Sequence, residues 1–521
     1  MTLGRAPSQE ELLTTRQLCE RQLAETSPYR VLAARCHELF GDGSFADLYV
    51  HNGRPSIPPQ IVATVMVLQR MEGLSDREAV ERFTFDARWK YASGCLPSEY
   101  PTFVHTVLVE FRARLRKSVR PNRIFEVMLE VAMRAGLVGR KRVMDSTALY
   151  DAVATQDTVT MVRSAIRGLL RVSGEALAKE IRAVLRRDDE YASAGKPECE
   201  WDDEGAREAL VDALAKDGYA ALLVLDGREL SDEVAQAARL LATVLGQDLE
   251  SAEDGRFRIA RRVAPDRVIS TVDPEARHGH KTAARGFDGY KGHIAIDPDS
   301  EIITATEVTA GNAGDASAAE ALLQDVLATS DDAKEAKGVE VYGDASYGTA
   351  DLVEKLQGAS IEPNVKVQAP SARGDFFAQD AFVIDTRAKT VTCPYGVLVE
   401  LRLRKDGTSY ADFGVHCQSC PLRSKCTDSK SGRGINVHPT HDTLHRARAR
   451  QKSPEWKQRY RATRPKVERK FAHLMRRKHG GRRSRVRGRL RVAHDFALLA
   501  AVANFLRLTK LGAWTTAKAV A

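Results

Sequence analysis

The sequence lacks an apolar run long enough to cross a bilayer, and no charged segment followed by an apolar stretch opens it as a signal peptide would. Its most apolar run, residues 496–506, contains Asn504 and falls short of the roughly 20 residues that a spanning helix needs. We interpret this run as a buried core helix. Hydrophobic residues make up 43% and charged residues 29% of the 521 residues, a composition typical of a soluble protein. The length suggests about three domains, and we expect a cytoplasmic protein without membrane association.

Cysteine is sparse outside one cluster. Four of the eight cysteines are scattered along the chain, as in proteins of a reducing cytoplasm: Cys19, Cys36, Cys95 and Cys199. The cytoplasmic interpretation disfavours disulfide pairing among the others.

The remaining cysteines form a cluster at positions 393, 417, 420 and 426. Four thiolates that include one C-x-x-C pair match a tetrahedral structural zinc site with Cys393, Cys417, Cys420 and Cys426 as ligands. An unliganded cluster or an iron–sulfur site are the alternatives. A zinc ion would stabilise a small β-rich lobe that has little hydrophobic core of its own.

Acidic residues are nearly absent from residues 446–491. This window holds 20 Lys/Arg and only two acids, Glu455 and Glu468. The net charge of this window is +18. Because the whole chain carries +9, the remaining residues together carry −9. Such a segment suits a polyanion, most plausibly nucleic acid. A solvated basic tail is the alternative, but apolar helix-like sequence follows the window.

Two parts of the chain show mainly helical periodicity. The pattern of residues 1–138 predicts a helical N-terminal domain. In it, Gly73 separates two helices, and Ser75 forms a capping box with Glu78. This shape is typical of a helix-turn-helix, so DNA binding and plain helix packing are equal alternatives. Residues 152–265 predict a helical insertion that carries no recognisable chemistry.

Strand patterns occupy residues 139–151 and 266–370. Residues 286–297 and 302–308 alternate around a Pro298-Asp299-Ser300 turn, which predicts an antiparallel hairpin. The order is strand, long insertion, strand, strand, helix, strand, helix, strand. It predicts an α/β fold with an RNase H-like mixed sheet, interrupted by the helical insertion and by a cysteine-rich insertion at 371–440. Basic helices at 441–521 would complete this core.

Two aspartates are predicted at strand ends. A short strand runs into Asp145, and the strand of residues 339–342 leads through Gly343 to Asp344 and then to a helix. In α/β sheets, ligands and metals bind at such carboxyl ends. An ordinary turn residue, or a helix cap at Asp145, is the alternative.

A third acid belongs to the basic window. Tyr460, Arg464 and Glu468 are spaced i, i+4, i+8 and are expected on one stripe of one helix. The alternative for Glu468 is an i,i+4 ion pair with Arg464, worth a few tenths of a kcal/mol.

Taken together, these motifs resemble those of DDE transposases of bacterial insertion sequences, in the branch with a helical N-terminal domain and a cysteine-containing insertion. Residues 53–56 (Gly-Arg-Pro-Ser) with 74–78 (Leu-Ser-Asp-Arg-Glu) resemble the family's N-terminal region, 143–147 its first aspartate motif and 343–348 its second. The cysteine pattern is similar as well. Arg464 and Glu468 keep the spacing of the third motif, whereas Tyr460 lies one residue early and Met475 stands at the final basic position, beside Arg476.

The resemblance implies a transposase that binds the terminal inverted repeats of its element, cleaves DNA strands and transfers them to target DNA, as a homodimer on DNA. Asp145, Asp344 and Glu468 are then the catalytic ligands of two Mg²⁺ or Mn²⁺ ions. The DNA-contacting residues are expected to be cationic or aromatic: Lys291, Tyr460, Arg464, Arg476, Arg482, Arg483 and Arg485. A catalytically inactive zinc-containing DNA-binding protein and an RNase H-like nuclease without strand transfer are the alternatives.

Overall fold

The computed structural model describes residues 14–50, 52, 55–151, 154–187, 191–282, 284–328 and 338–514. Gly53 and Arg54 of the N-terminal motif lie outside these residues. The chain forms a mixed α/β structure whose largest sheet has six strands.

Among the described residues before the first strand, regular structure is helical only. Seven α-helices occur there: α1 (Thr15–Gln22), α2 (Pro28–Leu39), α3 (Pro59–Glu72), α4 (Asp76–Phe85), α5 (Ala87–Ala92), α6 (Thr106–Lys117) and α7 (Arg123–Arg134). The predicted capping box is confirmed, because Ser75 accepts from the Glu78 amide and the Glu78 carboxylate accepts from the Ser75 amide.

The turn between α3 and α4 packs against the basic C-terminal segment. Gly73 adopts φ +72°, and a side chain there would collide with the Lys478 carbonyl. Arg485 donates to the Leu74 carbonyl, and Nδ1 of His479 lies 3.1 Å from the Met71 carbonyl oxygen. The turn therefore docks the helices onto the basic C-terminal segment.

The central sheet carries both aspartate motifs. Its strands are β1 (Lys141–Tyr150), β4 (Arg277–Thr282), β5 (Arg285–Ile296), β6 (Ile303–Ala310), β7 (Glu340–Gly343) and β8 (Glu362–Val365). The order is β4-β5-β1-β7-β8, with β6 also paired to β5. β5 is antiparallel to β1 and β6, whereas β1, β7 and β8 are parallel. The predicted β5–β6 hairpin is confirmed; the polar edge strand β4 was not predicted.

Helices cover both faces of this sheet, and the alternation along β1 assigns each side chain to one face. Val143 packs in a core formed with α3, α17 (Pro465–Leu474) and α18 (Arg489–Lys510), while Met144 packs in a core with α12 (Ala319–Leu322) and α14 (Ala350–Gly358). The N-terminal helices share the first of these cores, so no separate core marks the division proposed at residue 138. A second short helix, α13 (Gln324–Ala328), follows α12, so two short helices stand where the predicted order of elements has one helix between β6 and β7.

The described residues between β1 and β4 form a helical unit with its own core. It contains α8 (Thr158–Val172), α9 (Gly174–Val184), α10 (Glu204–Leu225), α11 (Asp232–Asp248) and the small hairpin β2 (Leu249–Ser251) and β3 (Phe257–Ile259). Gly218 lies within α10. In the structure that glycine lets Leu245 of α11 approach, at 3.0 Å from the position a Cβ would take.

The cysteine-rich segment forms two three-stranded sheets around another core. Its strands are β9 (Val383–Asp385), β10 (Thr390–Thr392), β11 (Leu398–Glu400), β12 (Arg402–Leu403), β13 (Ser409–Asp412) and β14 (Gly434–Val437). The basic helices α15 (His441–Arg450) and α16 (Pro454–Thr463) then lead to α17 and α18.

Within the described part of the chain, α18 alone is long and apolar enough to span a membrane, and 78% of its most apolar window is buried inside the protein. Asn504 is fully buried there and forms two hydrogen bonds of 2.8 Å with the backbone of Ile303 on β6. The interpretation of this run as a core helix agrees with that burial.

Candidate active site and nucleic-acid interface

Three predicted carboxylates converge on one guanidinium group. Nη2 of Arg464 lies 2.8 Å from Oδ1 of Asp145 and 3.6 Å from Oδ2 of Asp344. Nη1 of the same side chain lies 3.7 Å from Oε1 of Glu468. The fold therefore brings together three acids that are far apart in sequence, around a cation whose side chain is only 9% exposed.

Asp145 lies in the middle of β1, so the prediction of a strand end was wrong. The parallel pairing with β7 stops at Val143, whereas the antiparallel pairing with β5 continues to Tyr150. Beyond Val143, β1 is therefore paired with β5 on one side and has no β7 partner on the other. Asp145 lies two residues beyond the last pair with β7, and Asp344 lies two residues beyond the same pair on its own strand. This register explains how a mid-strand residue reaches the carboxyl edge of β7.

Asp344 follows the last residue of β7, as predicted. Its Oδ1 accepts a hydrogen bond of 2.9 Å from the Ser346 amide, which fixes the turn that leads into α14. The turn requires glycine at position 348, because any Cβ there would collide with the Lys366 carbonyl beyond β8. The sequence Gly-Asp-Ala-Ser-Tyr-Gly therefore encodes a tight connection that presents one carboxylate.

Arg464 and Glu468 lie at a junction between two helices. The prediction of a single helix was wrong, because α16 ends at Thr463 and α17 begins at Pro465, which has no amide hydrogen to continue the ladder. Arg464 keeps right-handed helical angles, φ −57° and ψ −40°, so the i,i+4 relation to Glu468 survives. The Glu468 side chain is 63% exposed and faces the open side of the cluster.

Burial dominates the electrostatics of this cluster. It raises the pKa of Asp145 in spite of the neighbouring guanidinium, and the Asp344 charge raises it further. Burial alone would lower the pKa of Arg464, but the charge and hydrogen bond of Asp145 outweigh it and the pKa is raised. The site therefore holds an arginine with a raised pKa beside a buried carboxylate whose pKa lies above its ordinary value.

A buried polar network lies behind the two aspartates and was missed in the sequence. Oγ of Ser146 donates to Asp315 at 2.7 Å, and Nζ of Lys291 lies 2.8 Å from the other oxygen of that carboxylate. His293 lies between the hydroxyl of Tyr347, at 2.8 Å, and that of Thr309. Ser146 and Tyr347 belong to the two aspartate motifs, whereas Asp315, His293 and Thr309 were not singled out in the sequence.

The expected DNA contacts divide into enclosed and exposed groups. Lys291 is bound to Asp315 and to the Ala313 carbonyl, and only 16% of its side chain is exposed. The hydroxyl of Tyr460 donates to the Gly343 carbonyl at 3.2 Å, and its ring stacks on Trp456. These two side chains are held by protein partners next to the carboxylates.

The remaining arginines lie in the basic C-terminal segment. Arg476, Arg482 and Arg483 are exposed, and Arg485 is half-buried. We call residues 482–487 the basic strap. Its backbone is attached to the end of β1, because the Tyr150 amide donates to the Arg482 carbonyl at 3.0 Å and the Ser484 amide to the Tyr150 carbonyl at 2.8 Å. The basic run is thus anchored to the strand that carries Asp145.

The four clustered cysteines line one small cavity of the β-rich lobe, together with Phe377, Phe382 and Phe413. All four are free thiols, and burial raises the pKa of Cys426. Across the described ranges, no group of three or more His, Cys, Asp or Glu side chains is arranged as a metal site. Zinc binding by these cysteines, and Mg²⁺ or Mn²⁺ binding by Asp145, Asp344 and Glu468, therefore stay predictions.

Two family models match separate parts of the chain. A transposase DDE domain matches residues 392–509, which include Arg464 and Glu468, and a transposase domain (DUF772) matches residues 17–114, within the N-terminal helices. Asp145 and Asp344 lie outside both matches. The chain has no significant match among curated proteins or among solved structures.

Proposed function

We propose that this chain, a DDE transposase of the insertion-sequence type, binds the terminal inverted repeats of its element, hydrolyses strands there and joins the freed 3′-hydroxyls to target DNA. The convergence of Asp145, Asp344 and Glu468 on Arg464 is the observation that carries this proposal. Ordinary surface ion pairs involve two charges, whereas three acids gathered on a strand, a turn and a helix start form an acidic cluster in a strongly basic region.

The strand order supports an RNase H-like catalytic core. A sheet with one antiparallel hairpin beside three parallel strands brings β1 and β7 next to each other, so that their acids share one edge. We propose the core to be residues 139–151 and 266–370, completed by helices of 441–521, with insertions at 152–265 and 371–440. Residues 1–138 would form the N-terminal DNA-binding domain.

The family implies dependence on divalent metal ions, and the donor set fits Mg²⁺ or Mn²⁺. Carboxylate oxygens are the ligands that these ions prefer, and buried Asp145 carries a raised pKa that further positive charge would offset. Asp145, Asp344 and Glu468 would hold two ions. When bound, such ions activate the attacking water or hydroxyl and neutralise the departing oxygen.

The chain's own residues would orient the DNA around these acids. Arg464 would hold a phosphate beside the carboxylates, since its planar guanidinium group can donate two parallel hydrogen bonds to phosphate oxygens. Tyr460 would form the wall of the site, while Lys291 would reach the DNA from the same edge. The exposed Arg476, Arg482 and Arg483, with Arg485, would contact phosphates farther along the duplex. A homodimer would bind two element ends at once.

The cysteine lobe would hold a structural zinc ion. Cys393, Cys417, Cys420 and Cys426 line one cavity, which suits a four-thiolate site. Such an ion would stiffen a lobe whose own core is small.

The site also supports a second candidate, a catalytically inactive DNA-binding protein. The two-atom contact between Arg464 and Asp145 neutralises the most buried acid without any ion. In this case the acids would be structural. A nuclease without strand transfer would share the site and differ only in its products.

The test uses duplexes taken from the DNA that flanks the reading frame, incubated with the full chain and Mg²⁺ or Mn²⁺. We expect strand cleavage at the element end and, with added target DNA, joined products. Asp344→Asn should abolish both products and retain DNA binding. Cleavage without joining would identify a nuclease, and binding with no metal-dependent product in the parent protein would identify the inactive binder.

A further inference from the structure

The helical unit between β1 and β4 contains a groove rich in arginine. It lies among α8, α9 and α11, is closed by residues 271–274 and is lined at one end by Arg487 of the basic strap. Its volume is about 1210 Å³, above the range of about 300–1,000 Å³ typical of small-molecule pockets. We call it the arginine groove. Its size favours an extended ligand over a compact one.

Six of the lining side chains are arginines and one is a carboxylate, Glu233. Arg277 is neutralised by Asp266 at 2.8 Å, and Arg167 donates to the Ser193 carbonyl. The others are exposed: Arg171, Arg182, Arg239 and Arg487. Within the described ranges, none of these four forms an ion pair with a carboxylate. Like charges held on one surface repel each other, and an anionic ligand removes that repulsion.

A second large cavity of the same unit has the opposite charge. It is lined by six acids and four cations, with Glu250, Glu253 and Asp254 on or next to the β2–β3 hairpin. The unit is therefore polarised, with a basic groove on one side and an acidic cavity on another. A generally basic insertion would not show this contrast.

The arginine groove is connected through the basic strap to the end of the strand that carries Asp145. The basic strap hydrogen-bonds to Tyr150 at the end of β1, and Arg487 of the same strap lines the groove. A basic path thus runs from the strand that carries Asp145 to the helical unit. Duplex DNA follows such a path more readily than an acidic peptide does, because its phosphates repeat at regular spacing along a rigid rod.

We propose that the arginine groove binds the sugar-phosphate backbone of duplex DNA next to the stretch held at the catalytic edge. This inference rests on the proposed function and assigns a role to the helical insertion. Arg171, Arg182 and Arg239 contact phosphates from three different helices, and Arg487 links these contacts to the strap. The groove supplies affinity and register and reads no bases directly, since phosphate contacts carry no sequence information.

The test compares two triple variants of the full chain with equal loss of charge. The groove variant is Arg171→Gln/Arg182→Gln/Arg239→Gln, and the control is Arg207→Gln/Arg258→Gln/Arg261→Gln, on the acidic cavity. Fluorescence anisotropy with an element-end duplex measures the salt dependence of binding. We expect the slope of log K against log salt to fall by about two to three in the groove variant, at about 0.9 per lost phosphate contact. The control should keep the parent slope.

Hydroxyl-radical footprinting locates the lost contacts. The groove variant should lose protection over one block of the duplex and keep it elsewhere, and circular dichroism should show both variants folded. Equal slopes in the two variants, or an unchanged footprint, overturn the proposal. Retained DNA binding with lost self-association also overturns it, because the groove would then bind the acidic cavity of a second copy.

Different results would contradict the proposed catalytic function and the proposed DNA binding by the arginine groove. If the parent cleaves element ends while the groove variant binds them with the parent slope, only the groove is wrong. If the groove variant loses salt dependence but no metal-dependent cleavage occurs in the parent, the groove stands and the catalytic proposal falls.

Discussion

Both terminal nitrogens of Arg464 contact the Asp145 carboxylate, Nη2 at 2.8 Å from Oδ1 and Nη1 at 3.2 Å from Oδ2. The two residues are 319 positions apart in the sequence. The pair joins the start of α17 to the middle of β1. The same guanidinium reaches Asp344 and Glu468, so it holds the position at which the three acids meet. The Asp145–Arg464 pair is balanced in charge, whereas the cluster of three acids and one arginine keeps a formal excess of negative charge.

The first prediction concerns the loss of this arginine. Arg464→Met leaves the Asp145 carboxylate buried without its partner, which should cost about 3–5 kcal/mol of unfolding free energy. Added Mg²⁺ should restore more stability to this variant than it adds to the parent, because the ion no longer competes with the guanidinium. Urea denaturation with and without Mg²⁺ measures both effects.

Arg469→Met is the matched control, since Arg469 is 63% exposed and pairs with Glu301 away from the cluster. It should change stability by less than about 1 kcal/mol. An equal Mg²⁺ effect in parent and Arg464→Met proteins would mean that the ion does not bind where the acids meet.

The second prediction concerns the turn after Asp344. Gly348→Ala places a methyl group against the Lys366 carbonyl, so the turn must move. We expect a loss of about 1–3 kcal/mol in stability, as for overpacking, together with reduced cleavage.

Gly358→Ala, at the end of α14, provides the control because nothing lies within 4 Å of its Cβ position. A helical glycine replaced by alanine should gain up to about 1 kcal/mol. Thermal melting of the two variants compares them directly. Similar shifts in the same direction would contradict the close approach at Gly348.

A third prediction tests how α18 is attached to the sheet. Asn504→Leu leaves the amide and carbonyl of Ile303 buried without their side-chain partner, at a cost of about 1–3 kcal/mol for each unsatisfied group. Thr64→Val is the control: Thr64 is equally buried, but its hydroxyl bonds a carbonyl of its own helix. Denaturant midpoints should fall clearly in the first variant and little in the second.

The fourth prediction concerns pH. Burial, followed by the charge of Arg116, lowers the pKa of His494 to about 4, whereas an unfolded histidine titrates near about 6.5. Between these values only the unfolded chain takes up the proton. Stability should therefore be complete above about pH 6.5 and fall with decreasing pH, by about 1.4 kcal/mol per unit from this residue.

His494→Gln should flatten that slope relative to the parent protein. Unfolding free energies measured from pH 7 down to 4 provide the comparison. An unaltered slope in the His494 variant would mean that its imidazole takes up a proton in the folded state.

Local patterns predicted most elements of this fold but not their junctions. The capping box at Ser75 and the hairpin of β5 and β6 follow from short-range rules, and the structure confirms them. The break at Pro465 and the extension of β1 beyond Asp145 depend on tertiary partners, which periodicity does not report. The polar edge strand β4 gave no alternating signal for the same reason.

The site was partly readable from the sequence. Asp344 lies where its strand-turn-helix pattern indicated, and Glu468 keeps its i,i+4 relation to Arg464. The closeness of Asp145 to Asp344 follows from strand order, which a sequence indicates only through topology. The network around Asp315 was not predicted, because Asp315 lies in a 3-10 turn after β6 and meets Ser146 and Lys291 only through the tertiary fold.

The most direct test of the central claim is metal-dependent cleavage of an element-end duplex by Glu468→Gln and Glu455→Gln proteins. These are the two acids of the basic window, they carry the same charge, and only Glu468 contacts Arg464. We expect Glu468→Gln to reduce single-turnover cleavage at least about 100-fold and Glu455→Gln to cleave as the parent does, with DNA binding retained in both. Equal cleavage by the two variants would contradict the assignment of the three acids as the catalytic site.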